Sequence, residues 1–136
     1  MSLVTALQYV GVMGIEFFYG PRGLLVNEVA PRVHNSGHLT LEACRTNQFA
    51  QQVRIVAGLP MGLTDPSVQG ALMVNLLGFG PPQGEEARAD YRQQRSTLEA
   101  MEGAMVHWYG KAPRPRRKLG HVTLVDLDIH FHKSKC

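Results

Sequence analysis

A chain of 136 residues that is 44% hydrophobic can fill one core or two very small ones, which excludes a disordered chain. Its formal net charge of +3 is mostly local, because five of the eight residues at 111–118 are basic, so phosphate in any form is a candidate partner. No window reaches the roughly 20 apolar residues of a membrane span, residues 1–12 lack the basic start and unbroken apolar run of a signal peptide, and a soluble cytoplasmic protein is expected.

The first pattern is a hairpin. Residues 12–19 and 24–29 are β-rich runs joined by Gly20-Pro21-Arg22-Gly23. In the first run Val12, Gly14, Glu16 and Phe18 share a face, and in the second Leu24, Val26 and Glu28 do. A four-residue turn with regular pairing sets Glu16 opposite Asn27, whereas a bulge or a longer loop sets it opposite Glu28. If both acids serve one metal, the irregular register is the one expected.

Ala30-Pro31 ends the second strand, and Pro, Asn, Ser and Gly make residues 32–38 a loop. A helix is then expected from Leu39 or Thr40 to Ala57, stopped by Gly58 and Pro60, with an apolar stripe of Leu39, Ala43, Phe49, Val53 and Val56. Cys44 falls inside that helix and Cys136 ends the chain, so no disulfide is expected and a reducing compartment fits. Residues 62–70 read as a connector, 71–77 as a buried strand, 78–84 as a turn with Pro81 and Pro82, and 85–105 as a helix whose last turn Gly103 weakens. His107 and Trp108 then lie near a helix end, 120–127 form a further strand, and 128–136 extend it or fray. The expected division is 1–62 and 63–136, the second part being a small β-α-β unit.

Three groups carry chemistry. Glu16 and Glu28 on adjacent strands offer the hard oxygens that magnesium prefers, with the Asn27 amide beside them, although each acid alone could simply face solvent. Arg32 offers a rigid fork for carboxylate or phosphate, and His34 and Asn35 a shorter polar reach; Asn35 and Ser36 can also cap the turn and helix that follow. His34 and His38 lack a third ligand at a zinc spacing. In the basic loop Lys111, Arg114, Arg116, Arg117 and Lys118 are stiffened by Pro113 and Pro115, as a phosphate clamp or as a solvated turn. There is no GxxxxGK[ST] or GxGxxG loop.

The segments GVMGIEFF at 11–18, LLVNEVAPRVHNSGHLTLEAC at 24–44, MVNLLG at 73–78, HWYGK at 107–111 and RKLGHVTL at 117–124 resemble, in order and separation, the carboxyl-terminal portion of the 5-(carboxyamino)imidazole ribonucleotide synthases. These are ATP-grasp ligases of purine biosynthesis. The resemblance implies an α+β fold: a partial ATP-grasp subdomain with antiparallel hairpin and helix, then the small β-α-β domain. It implies ATP and Mg2+ as cofactors, with Glu16 and Glu28 on the metal and Asn27 and Glu28 beside the nucleotide. Arg32, His34 and Asn35 would orient the carboxylating intermediate or the ribonucleotide, and Lys111, Arg117 and Lys118 would hold the ribonucleotide phosphate.

The implied substrates are aminoimidazole ribonucleotide and bicarbonate. Only ten residues precede Gly11, too few for the amino-terminal domain and ATP lid of a family member, so a piece inactive alone is expected, needing a missing segment or pairing as a homo-oligomer. Two other readings stand beside it. One is a vestigial structural or protein-interaction module, and the other is a phosphate or nucleic-acid binder using residues 111–118, a weaker reading because that loop lacks a reading helix or stacking strands. His130 and His132 in the tail offer a further metal-binding pair.

Overall fold

The computed structural model describes residues 2–79 and 91–126, and the chain divides into two compact units between Ser67 and Val68. The first opens with a single helical turn, α1 (Leu3–Ala6), whose Ser2 cap accepts from the Thr5 amide. A hairpin of β1 (Gly14–Gly20) and β2 (Gly23–Ala30) follows. Gly20 pairs with Gly23, and Gly23 has φ +80°, a conformation glycine adopts without a Cβ penalty. Pairing is regular from there through Phe17↔Val26 and then slips by one residue, so that Glu16 faces Glu28. Asn27 is the extra residue of this β-bulge. Near the turn Phe17, Phe18, Tyr19, Leu24 and Val26 are all exposed.

The segment expected to be a loop contains a 3-10 helix at Asn35–Leu39, with His34 as its cap. The single helix expected up to Ala57 is instead two: α2 (Thr40–Ala43) and α3 (Gln48–Val56). The break has a tertiary cause. Cys44 is extended at φ −127° and ψ 149° and bridges Pro66, while the Arg45 amide donates to Asp65 O and the Ser67 amide to Ala43 O. Asn47 restarts the helix by accepting from the amides of Phe49 and Ala50. Asn47→Ala is expected to cost about 1 kcal/mol of stability, readable in urea unfolding; no change in midpoint would show that the cap does not hold α3.

The expected apolar stripe does not mark the buried face of α3. Phe49, Val53 and Val56 are exposed, whereas Gln48 and Gln51 are buried. The glutamines take that face because each satisfies a peptide group that no regular element serves. Gln51 donates to Gly62 O and accepts from Gly62 N, and Gln52 Oε1 accepts from Val12 N at 2.7 Å.

Among the described residues the second unit holds β3 (Ala71–Leu77), α4 (Arg92–Glu99), β4 (Ala104–Trp108) and β5 (Lys118–Val125). The sheet order is β3-β5-β4, with β5 antiparallel to both neighbours. β3 and β4 therefore run parallel with α4 between them in sequence: a β-α-β unit split by β5. The strand that closes it comes from a segment read as helix. Gly103, at φ +75°, ends the α4 turn, and Ala104–Trp108 then pairs with β5, placing His107 and Trp108 on a strand.

Tyr91, buried ahead of α4, accepts from Phe79 N and donates to Phe79 O, and its ring meets that of Trp108 at 5.7 Å. Leu119, Val122 and Thr123 of β5 are buried as well. The expected turn at 80–84, the helix start at 85–90, Leu127, and the tail at 128–136 with His130 and His132 lie outside the described residues. No helix of the described residues is long and apolar enough to cross a membrane.

Candidate metal and anion site

The bulge in β2 sets the geometry of the first unit. Two carboxylates as direct cross-strand partners repel, so the pairing of Glu16 with Glu28 needs donors or cations nearby. Three side chains supply them. Asn27 Nδ2 donates to Glu16 Oε2 at 3.2 Å, Arg32 Nη2 lies 3.7 Å from Glu28 Oε1, and the His34 ring lies between the acids. His34 Nδ1 is 3.5 Å from Glu16 Oε1, and Nε2 is 3.6 Å from Glu28 Oε1.

Burial grades across the group. The His34 side chain is 10% exposed, Glu16 35% and Glu28 48%, so an enclosed imidazole backs two carboxylates that open to solvent. One ligand atom from each of Glu16, Glu28 and His34 lies within 4.8 Å of the others. That convergence, with hard carboxylate oxygens on the open side, fits a divalent cation that keeps free positions for water or phosphate.

His34 is fixed from behind by a residue the sequence reading passed over. Gln48 accepts from His34 N at 2.9 Å, donates to His34 O at 2.8 Å and reaches His38 Nδ1 at 2.8 Å. Gln48 N in turn donates to Thr40 Oγ1. The available signal was Asn47 as a helix cap, which makes Gln48 the first helical residue and turns it toward the preceding loop. Gly14 leaves the room: a Cβ there would sit 2.7 Å from His34 Cβ. His38 stacks on Phe49 at 5.4 Å, and Asn35 opens the 3-10 helix.

Lys111, Arg117 and Lys118 lie in the second unit. Lys111 Nζ stands 4.9 Å over the Tyr109 ring, Arg117 Nη1 donates to Ala112 O, and Lys118 opens β5. The loop is pinned to Gly78 by the Arg116 amide donating to Gly78 O and the Gly78 amide to Arg117 O. Tyr109 Oη lies 2.6 Å from Nδ1 of buried His121, whose ring stacks on His107 at 4.5 Å.

Burial raises the Tyr109 hydroxyl above its ordinary 10.0. The stabilising contribution is therefore complete below that ordinary value and is lost as pH rises through the folded-state value. Tyr109→Phe is expected to remove one late ionisation from an ultraviolet titration of the folded chain; an unchanged late limb would refute it.

Comparison with known proteins covers both units. A model of the ATP-grasp domain matches residues 1–49, and one of the phosphoribosylaminoimidazole carboxylase C-terminal domain matches residues 71–134. The N5-carboxyaminoimidazole ribonucleotide synthase of Synechococcus elongatus is 52% identical over 124 residues, 90% of this chain and 30% of that protein. The phosphoribosylaminoimidazole carboxylase of Ogataea methanolica is 46% identical over 94% of this chain and 23% of its own length. Among solved structures, the Thermus thermophilus N5-carboxyaminoimidazole ribonucleotide synthetase superposes with TM-score 0.73 at 49% identity, covering 90% of this chain and 31% of that one. The Aspergillus clavatus synthase in complex with ADP and 5-aminoimidazole ribonucleotide superposes with TM-score 0.75 at 31% identity over 88% of this chain and 31% of that one. The chain spans about a third or less of the length of these relatives. By sequence and fold together the chain matches the N5-carboxyaminoimidazole ribonucleotide synthase family of ATP-grasp proteins, over a part that corresponds to the carboxyl-terminal region of its members.

Proposed function

We propose that this chain supplies the metal- and substrate-facing wall of an ATP-dependent ligase that carboxylates aminoimidazole ribonucleotide with bicarbonate, and that by itself it binds ligands without turnover. The observation that carries the reading is the bulge register, which brings Glu16, Asn27 and Glu28 together beside Arg32 and His34. Magnesium held by Glu16 and Glu28 would neutralise nucleotide phosphates during phosphoryl transfer. Asn27 fixes Glu16 and faces the nucleotide, while Arg32, His34 and Asn35 orient the carboxylated species or the ribonucleotide. Lys111, Arg117 and Lys118 take the ribonucleotide phosphate.

Calorimetry is the test. Magnesium-ADP and aminoimidazole ribonucleotide are each expected to bind the chain weakly, with no phosphate released from ATP. Glu16→Gln is expected to abolish the first interaction, and Arg117→Ala to weaken the second. Absence of both interactions at millimolar ligand overturns the proposal.

The exposed apolar residues of the hairpin support a second reading, a structural or interaction module that also associates with itself. Sedimentation decides it: a strict monomer with no captured partner removes this reading.

A further inference from the structure

We infer that Gly78 is a positioning residue for the ribonucleotide phosphate: it ties the Arg114–Arg117 turn to the end of β3 and so holds Lys111, Arg117 and Lys118 as one preorganised set of cations. The inference rests on the reading of those three side chains as the phosphate-binding group, and it adds the part of the fold that fixes them. All three are exposed, along the connection from β4 into the start of β5. Like charges on one loop repel, and an untied loop would let them spread.

The loop is closed at its base, across its arms and along its side. At the base the Tyr109 amide donates to Leu119 O at 2.8 Å. Across the arms Arg117 Nη1 donates to Ala112 O at 3.2 Å, and the other donors of that guanidinium remain for an anion. Along the side Gly78 extends the β3–β5 ladder past its last partners, Leu77 and Lys118: its amide donates to Arg117 O at 2.8 Å, and its carbonyl accepts from Arg116 N at 2.9 Å. The next residue, Phe79, is held through both its main-chain groups by Tyr91 Oη, so the post that carries the turn is itself fixed.

Backbone strain shows that the tie is imposed on the turn. Arg117 N donates to Arg114 O at 3.1 Å around Pro115 and Arg116, and Arg116 has φ +60°. Proline followed by a residue of positive φ is the order of a type II turn, which favours glycine where this chain has Arg116. The arginine therefore bears strain that the hydrogen bonds to Gly78 offset. Space shows that the tie needs glycine at 78. That residue is buried, and a Cβ on it would overlap the carbonyl oxygen of Arg114 and stand 3.1 Å from the carbonyl carbon. A side chain at 78 would push the turn off the sheet and loosen the cations at its ends, which removes the benefit of preorganisation.

The test titrates the full 15N-labelled chain with aminoimidazole ribonucleotide and with inorganic phosphate, each at low and high salt. Gly78→Ala is expected to weaken the ribonucleotide about tenfold or more and to flatten the salt dependence, because fewer cations then act on one phosphate. A loss of fold stability alone would leave that salt dependence as it is. Arg116→Gly is expected to raise the unfolding midpoint and to keep the affinity within about twofold, since it relieves the strain, keeps the tie and removes only one exposed charge. Amide exchange of the unmutated chain gives a reading independent of any variant's folding: ribonucleotide should slow exchange at Arg116 and Gly78, because the ligand favours the tied turn.

Wild-type ribonucleotide affinity and salt dependence in Gly78→Ala overturn the inference and leave the phosphate-loop reading standing. So does an equal loss of affinity in Arg116→Gly, which would make the arginine side chain the determinant, and so does exchange at Arg116 and Gly78 that ignores the ligand. Failure of the unmutated chain to bind either ribonucleotide or phosphate overturns the phosphate-loop reading and the inference together.

Discussion

Gln48→Leu is expected to lower the unfolding free energy by roughly 1–3 kcal/mol, because a buried peptide N–H loses its partner. It belongs to His34: its N–H loses the Gln48 Oε1 acceptor, while its C=O loses the Nε2 donor but keeps the Gly37 amide. Leucine has nearly the volume of glutamine, so the loss would come from hydrogen bonding rather than from a cavity. Gln48→Glu separates the two halves of the clamp. It keeps an acceptor for His34 N but sets a carboxylate oxygen against His34 O, and it is expected to be no better tolerated than leucine. Urea unfolding reads the effect as a lower midpoint at constant slope. A change below about 0.5 kcal/mol for both variants would mean that His34 is held by something other than Gln48.

Gly14→Ala is expected to cost about 1–3 kcal/mol and to displace the His34 ring from the acids. The added methyl would sit 2.7 Å from His34 Cβ, well inside the 3.5–4.0 Å of ordinary carbon contact. His34 cannot retreat, since Gln48 holds it on both sides of its Cα, and so β1 must move. β1 carries Glu16 two residues on, and metal affinity should fall along with stability. An alanine variant with wild-type stability and wild-type metal titration would show that the strand absorbs the methyl, and that the close approach of Gly14 does not set the site.

The sequence signals that held were local. A Gly-Pro-Arg-Gly turn between two β-rich runs needs no distant partner to be recognised, and the strand at 71–77 was bounded by glycines on either side, although Leu72, Val74 and Leu77 are exposed where a buried strand was expected. Readings failed where distant residues competed for the backbone. Residues 44–47 have helical neighbours on both sides, yet the Arg45 amide donates to Asp65 O and the Ser67 amide to Ala43 O, closing the bridge between Cys44 and Pro66. Ala104–Trp108 became a strand because β5 pairs with it along its whole length. The buried face of α3 was misread because hydrophobic periodicity registers apolar surface, while the burial there is driven by amides that satisfy loop peptides.

What the sequence by itself determined is kinship and the inventory of groups: the two acids, the Asn27–Asn35 polar segment and the basic loop, each recognisable from residue type and order. What only the tertiary structure decided is which of them meet. Turn composition is compatible with Glu16 facing either Asn27 or Glu28, and a slip of one residue separates a lone acid from a carboxylate pair. The Asn27 bulge, the Gln48 clamp on His34 and the space left by Gly14 fix that choice together. The last two join residues 14 to 20 positions apart in the chain, a separation that no local pattern of side chains encodes.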